Sequence, residues 1–152
     1  MVKRVVLVAA AAVALAVAWT QAYQSSESQR RYIAPRTKAD TAAPFSGAVF
    51  VGNTLYLAGE IGTDASNKVP DTADAEAKAV LDKVQARLRA AGLTMDDLVS
   101  VQIFCSDVKH YDAFNTVYRT YFTREYPARA FIGAGTLLFN ARFEVQGIAV
   151  KR

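Results

Sequence analysis

Cysteine and histidine are nearly missing from this chain: its 152 residues contain one of each, Cys105 and His110. A lone cysteine excludes an intrachain disulfide. One histidine and one cysteine, with no ligand spacing around either, offer no zinc site. They also offer no Cys–His or Ser–His pair for nucleophilic catalysis, short of an unusual meeting of distant groups. Cys105 sits in the strand-like run "VSVQIFCSD", where a buried, inert thiol is the expected state. Glycine signals are thin as well. "GAG" at 133–135 is followed by no phosphate-loop Lys-Ser/Thr and falls late in a strand, so it reads as close packing. No lysine suited to pyridoxal phosphate and no nucleotide fingerprint occurs. Chemistry on this chain, if any, must use arginine, carboxylates, backbone groups and water, with no cofactor and no metal.

Strong charge is missing too. The formal excess of +4 includes Lys3 and Arg4 in an acid-free N-terminal segment; beyond it stand sixteen cations against fourteen acids, an excess of +2. No basic cluster interleaves with aromatics, so a nucleic-acid surface is not expected. The short "QRRY" at 29–32 reads as part of a solvated arm.

The N-terminus carries the clearest local signal. "MVKR" precedes an unbroken apolar stretch over residues 5–19, shorter than the roughly 20 residues of a membrane span. "AVA" at 16–18 and "TQA" at 20–22 set small residues where a signal peptidase reads. The pattern predicts a cleaved secretory signal over 1–22, membrane contact only through that signal, and a periplasmic or secreted product. No cysteine near the cleavage sites supports a lipid anchor. Residues 23–43 are polar and aperiodic and read as a flexible linker.

The domain is expected over 44–152, one unit without internal repeats. "AVFVGNTLYLAGE" holds two β-prone runs around Gly52-Asn53, a hairpin signal. Ala77, Val80, Leu81, Val84 and Leu88 recur at helical spacing, with Asp71, Asp74 and Glu76 at the start, Arg87 and Arg89 at the end and Gly92 to close the helix. "LVSVQIFC" alternates, putting Val99, Val101, Ile103 and Cys105 on one strand face. A second helix is expected from about 111 to 123, its stripe of Phe114, Val117, Tyr118, Tyr121 and Phe122 serving as core. Strands over about 129–135 and 142–150 flank a short turn at 137–140. The order ββαβαββ predicts an α+β two-layer domain with both helices on one sheet face. The other face, bearing Val, Ile and Leu, then needs cover, so assembly through the sheet is expected.

"EYPARAFIGAG" raises the question of function, because Arg129 heads an apolar strand. A guanidinium is always charged and is seldom buried without an anion. Arg129 therefore either pairs with a neighbouring carboxylate or awaits an anionic ligand.

Four segments then carry a likeness: "PFSGAVFVGNTLYLAGEIG", the helix–strand–helix stretch "AEAKAVLDKVQARLRAAGLTMDDLVSVQIFCSDVKHYDAFNTVY", "YPARA" and "FEVQGIAVKR". Over roughly three quarters of its length, in the right order, the chain resembles the reactive-intermediate deaminase (Rid, or YjgF) family. The resemblance implies a chorismate-mutase-like fold, a homotrimer with ligand clefts between subunits, and no cofactor. It implies hydrolysis of enamines and imines such as 2-aminoacrylate and its imine tautomer to 2-keto acids and ammonia. In the family's "PAR" motif the arginine holds the substrate carboxylate, and Arg129 matches it; a planar fork suits that task. Glu144 matches an acid that holds the attacking water, a role that needs only orientation and a proton acceptor. Its structural alternative is an ion pair with Arg142 or Arg129. Gly59 and Phe131 match positions whose backbone lines the cleft, and Asn115, three residues before Tyr118, can point its amide there or serve as an ordinary helix residue. Three departures stand out: Phe45 where Tyr is frequent, Ala58 and Glu60 where Ser and Gln flank the glycine, and Gln146 in place of a second acid. Two readings stay open, a deaminating hydrolase and a non-catalytic trimer that binds small carboxylates or protein clients.

Overall fold

The computed structural model describes residues 30–33 and 44–152. The expected signal segment lies outside them, as does most of the expected linker. One part of that linker needs correction: Arg30–Ile33 forms a strand, β1, antiparallel to β2 (Ala48–Val51). Ile33 is buried against the core and the Arg31 guanidinium lies 4.3 Å from the centre of the Phe50 ring. An isolated arm shows no period, but a four-residue strand needs only a free sheet edge to pair with.

The seven expected elements follow in the expected order. β2 and β3 (Thr54–Ile61) form the hairpin, with Gly52 at φ 61° in its turn. Helix α1 (Ala73–Ala90) begins where the Thr72 hydroxyl accepts from the Ala75 amide and ends before Gly92 at φ 79°, a left-handed position that glycine adopts without strain. β4 (Leu98–Cys105), α2 (Tyr111–Tyr118), β5 (Ala128–Gly133) and β6 (Phe143–Val150) complete the domain. The sheet order is β1-β2-β3-β6-β4-β5, with β4 and β5 the parallel pair. Parallel neighbours require a crossover, and α2 supplies it.

Both helices pack on one face. Val80, Leu81 and Leu88 of α1 and Phe114 of α2 meet Leu55, Ile103, Phe143 and Val145 of the sheet. Each such fully buried side chain contributes about 1.5–3 kcal/mol. The opposite face carries Val49, Tyr56, Phe104, Ile132 and Ile148, and no helix among the described residues covers it.

Two local expectations shift. Val99 is 47% exposed rather than inward, because the β4–β6 register slips between Leu98 and Ser100 and Leu98 takes the buried position. A bulge reverses the alternation that a period of two assumes. The second helix stops at Tyr118 and tightens into a turn over Arg119–Tyr121. There the Tyr121 hydroxyl donates to the Asp82 carboxylate (2.6 Å) and to the Lys78 carbonyl, tying the end of the aromatic stripe to α1.

Candidate functional site

The strand alternation divides the candidate residues between the two faces of the sheet. Arg129 pairs in register with Val101, which is 2% exposed beneath the helices. Arg129 therefore leaves β5 on the helix side. Glu144 pairs in register with Phe104 on the bare side.

On the helix side, a cavity of about 300 Å³ is lined by Tyr111, Asn115, Tyr118, Arg119, Tyr126, Pro127 and Arg129. The Arg129 guanidinium lies 4.8 Å from the Tyr118 ring centre, 5.9 Å from that of Tyr111 and 6.0 Å from that of Phe131. Arg129 has no ion-pair partner among the described residues, and no acid lines the cavity. Of its two possible uses, the structural pair is thus absent among the described residues. Asn115 is 4% exposed, and among the described residues its amide oxygen has no hydrogen-bond partner; the Tyr118 hydroxyl is likewise buried and unpaired among them. Burial pushes the Tyr118 phenol up to about 12, with Arg129 opposing the shift, so the ring stays neutral at physiological pH. Phe131 packs edge-on against Tyr111 and Phe114 and forms the wall behind the arginine.

On the bare side, Glu144 lies across Gly59. A Cβ at Gly59 would stand 1.9 Å from Glu144 Oε1, so only glycine admits the carboxylate there. The β3–β6 register slips between Leu57 and Glu60, and this bulge turns Gly59 toward Glu144. Glu60 turns the other way, its carboxylate accepting from Arg87 Nε at 2.9 Å. Glu144 has no ion-pair partner among the described residues.

Arg142, the other partner considered for Glu144, is engaged elsewhere. Its guanidinium donates to Glu76 Oε2 at 2.7 Å and to the carbonyls of Pro70 and Asp71. Glu76 is fully buried, and its Oε1 also accepts from the backbone N–H of Arg142 and Phe143. Its place at the head of α1 reads as one more acid favouring the helix dipole; its contacts make it the clamp that locks the start of β6 onto α1. Its sequence signal was its place one residue before the apolar stripe.

The sheet therefore separates the candidate residues into two groups. Arg129, Asn115 and Phe131 gather on the helix side, Gly59 and Glu144 on the bare side. Phe45 joins neither: it is 60% exposed in the turn before β2. Tyr118 reads as core from the sequence, because an aromatic stripe at helical spacing is indistinguishable from core; Tyr111 and Tyr126 carry no pattern of their own and reach the cavity through the fold.

A family profile described as endoribonuclease L-PSP matches residues 36–151. The chain belongs to this family, to which the Rid and YjgF proteins also belong. It is 34% identical over 125 residues to a 2-iminobutanoate/2-iminopropanoate deaminase of Dermatophagoides farinae, covering 81% of this chain and 98% of the relative. The solved YjgF gene product of E. coli is similar in fold at a TM-score of 0.72 and 29% identity, over 80% of this chain and 99% of that one. E. coli TdcF, solved with bound serine, matches at a TM-score of 0.70 and 25% identity, over 79% and 94% of the two chains. The α+β two-layer fold of this Rid-family chain is thus shared along nearly the whole length of its relatives. No helix among the described residues is long and apolar enough to cross a membrane.

Proposed function

We propose that this Rid-family chain is a cofactor-independent hydrolase of 2-imino and 2-enamino acids that works as a homotrimer, each site joining the Arg129 cavity of one protomer to the Gly59–Glu144 pair of a neighbour. The observation that carries the reading is the guanidinium of Arg129, without an ion-pair partner among the described residues in a tyrosine-walled cavity. The trimer accounts for the separation of the half-sites and covers the bare apolar face. Relatives named as deaminases of 2-iminobutanoate and 2-iminopropanoate support the substrate class. TdcF with bound serine supports a small α-carboxylate as the group to be held.

The chemistry asks little of the protein. Arg129 receives the substrate carboxylate through two parallel N–H donors and so fixes the adjacent imine carbon. A protonated imine is already electrophilic. Water held by Glu144 adds through its oxygen to that carbon, the carbon–nitrogen π pair moves to nitrogen, and one water proton passes to the carboxylate. Glu144 returns its proton to the carbinolamine nitrogen; the C–N bond then breaks, ammonia leaves, and the hydroxyl proton passes to Glu144 as that oxygen becomes the ketone, to be released to solvent before the next turnover. Asn115 and the main chain of Phe131 line the substrate end, and Gly59 keeps the carboxylate against the strand. Phe45, exposed in the single chain, reaches the cleft only across the proposed subunit interface, where, in place of a frequent Tyr, it withholds a hydroxyl and tunes which imine is accepted. The leader over 1–22 directs the mature chain out of the cytoplasm. A cavity of about 300 Å³ suits such a metabolite rather than a polynucleotide.

The test is a coupled assay in which an amino-acid oxidase generates imines from several L-amino acids, with and without the mature protein. Accelerated keto-acid release by the wild type, lost on the order of a hundredfold in kcat/KM by Arg129→Ala while the trimer persists, is expected. Arg129→Lys should recover only part, keeping the charge but not the fork. An Arg129→Ala trimer with full activity would overturn the site. Pyruvate binding without any hydrolysis would favour the non-catalytic reading.

A further inference from the structure

We infer that Tyr118 is the positioning residue for Arg129: its ring holds the guanidinium in place of a carboxylate. The inference rests on the reading of Arg129 as an anion clamp. An arginine whose only duty is structural is normally oriented by an acid, which occupies its donors and cancels its charge. Arg129 is oriented differently. Its guanidinium carbon stands 4.8 Å from the centre of the Tyr118 ring, with Tyr111 and Phe131 at the outer limit of the same interaction. The face of an aromatic ring attracts a cation without accepting its N–H bonds in the guanidinium plane. Among the described residues no acid pairs with Arg129, so its positive charge stays uncompensated, the state an arriving carboxylate requires.

The ring is well suited to be a fixed platform. Tyr118 is 3% exposed, stacked on Phe114 at 5.8 Å and tilted against Phe122 at 4.7 Å, so its plane is set by the core. Its hydroxyl makes no hydrogen bond, which leaves the ring face as its visible contribution to the cavity. Other cations of this chain are held by acids: Arg87 by Glu60, and Arg142 by Glu76. Arg31 also lies over a ring, Phe50, at the sheet edge; Arg129 is the arginine set on an aromatic platform at the cavity.

The test separates ring from hydroxyl and position from packing. Pyruvate serves as the probe, titrated into the trimeric mature protein, with the Arg129 Nε–H resonance followed by NMR. Tyr118→Phe keeps the ring and should bind pyruvate within about twofold of wild type, retain the ring-shifted Arg129 resonance and melt no earlier. Tyr118→Leu should weaken pyruvate on the order of tenfold and move that resonance toward its unstacked position. Because Leu can also loosen the core, fluorinated phenylalanines of near-constant volume placed at 118 provide the second series. Affinity should fall stepwise as fluorine drains the ring face. A flat fluorination series, or a Phe variant as impaired as Leu, would overturn the positioning role. Wild-type protein that binds no pyruvate would overturn the clamp reading itself, and this inference with it.

Discussion

Arg129 and Glu144 stand on opposite faces of the same sheet, the first in register with buried Val101 and the second with Phe104. Side chains alternate across a strand, and no rotamer carries a carboxylate through a sheet. If one reaction uses both groups, as proposed, they come from two copies of the chain.

That geometry predicts intersubunit complementation. Arg129→Ala and Glu144→Gln should each be inactive as pure trimers. Co-expressed, they should form mixed trimers in which about a quarter of the sites unite an intact arginine with an intact glutamate from different protomers. Activity of the purified mixture should therefore rise well above either parent. A mixture as inactive as its parents, with mixed trimers verified by native mass spectrometry, would mean that both groups serve the same protomer's site.

A side chain at Gly59 should displace Glu144, because a methyl there would collide with the Glu144 carboxylate and push it off the strand. Gly59→Ala should therefore lower kcat on the order of a hundredfold with KM little changed, since the carboxylate clamp lies elsewhere. Steady-state kinetics beside circular dichroism checks this; a larger change in KM than in kcat would contradict it.

Glu76 should matter for folding before catalysis. Its buried carboxylate accepts from the Arg142 guanidinium and from two backbone amides. Glu76→Ala strips those donors of their acceptor and should cost about 3–5 kcal/mol of stability. Urea unfolding at neutral pH measures it. Glu76→Gln should cost less, because an amide oxygen still accepts. A loss under about 1 kcal/mol for the Ala variant would show that water replaces the clamp.

How much of this was legible in the sequence differs from residue to residue. Period and punctuation placed α1, the Gly52-Asn53 hairpin and, Val99 apart, the buried face of β4, because burial imposes spacings of 3.6 and 2 that the order of residues reveals. Arg129 stood out by its chemistry, as a charge at the head of an apolar strand, and the family likeness supplied Glu144, Gly59, Asn115 and Phe131. Position along the chain decided none of their relationships. That Val99 turns outward depends on a register slip between two strands some fifty residues apart in sequence, and the turn of Gly59 toward Glu144 depends on another. That Arg142 serves Glu76 rather than Glu144, and that Arg129 rests on Tyr118 rather than on an acid, follows from which side chains the sheet order and the α2 crossover bring within a few ångströms. Periodicity is a local property and survives in one dimension. Partner choice is a contact between distant segments, and only the closed fold selects it.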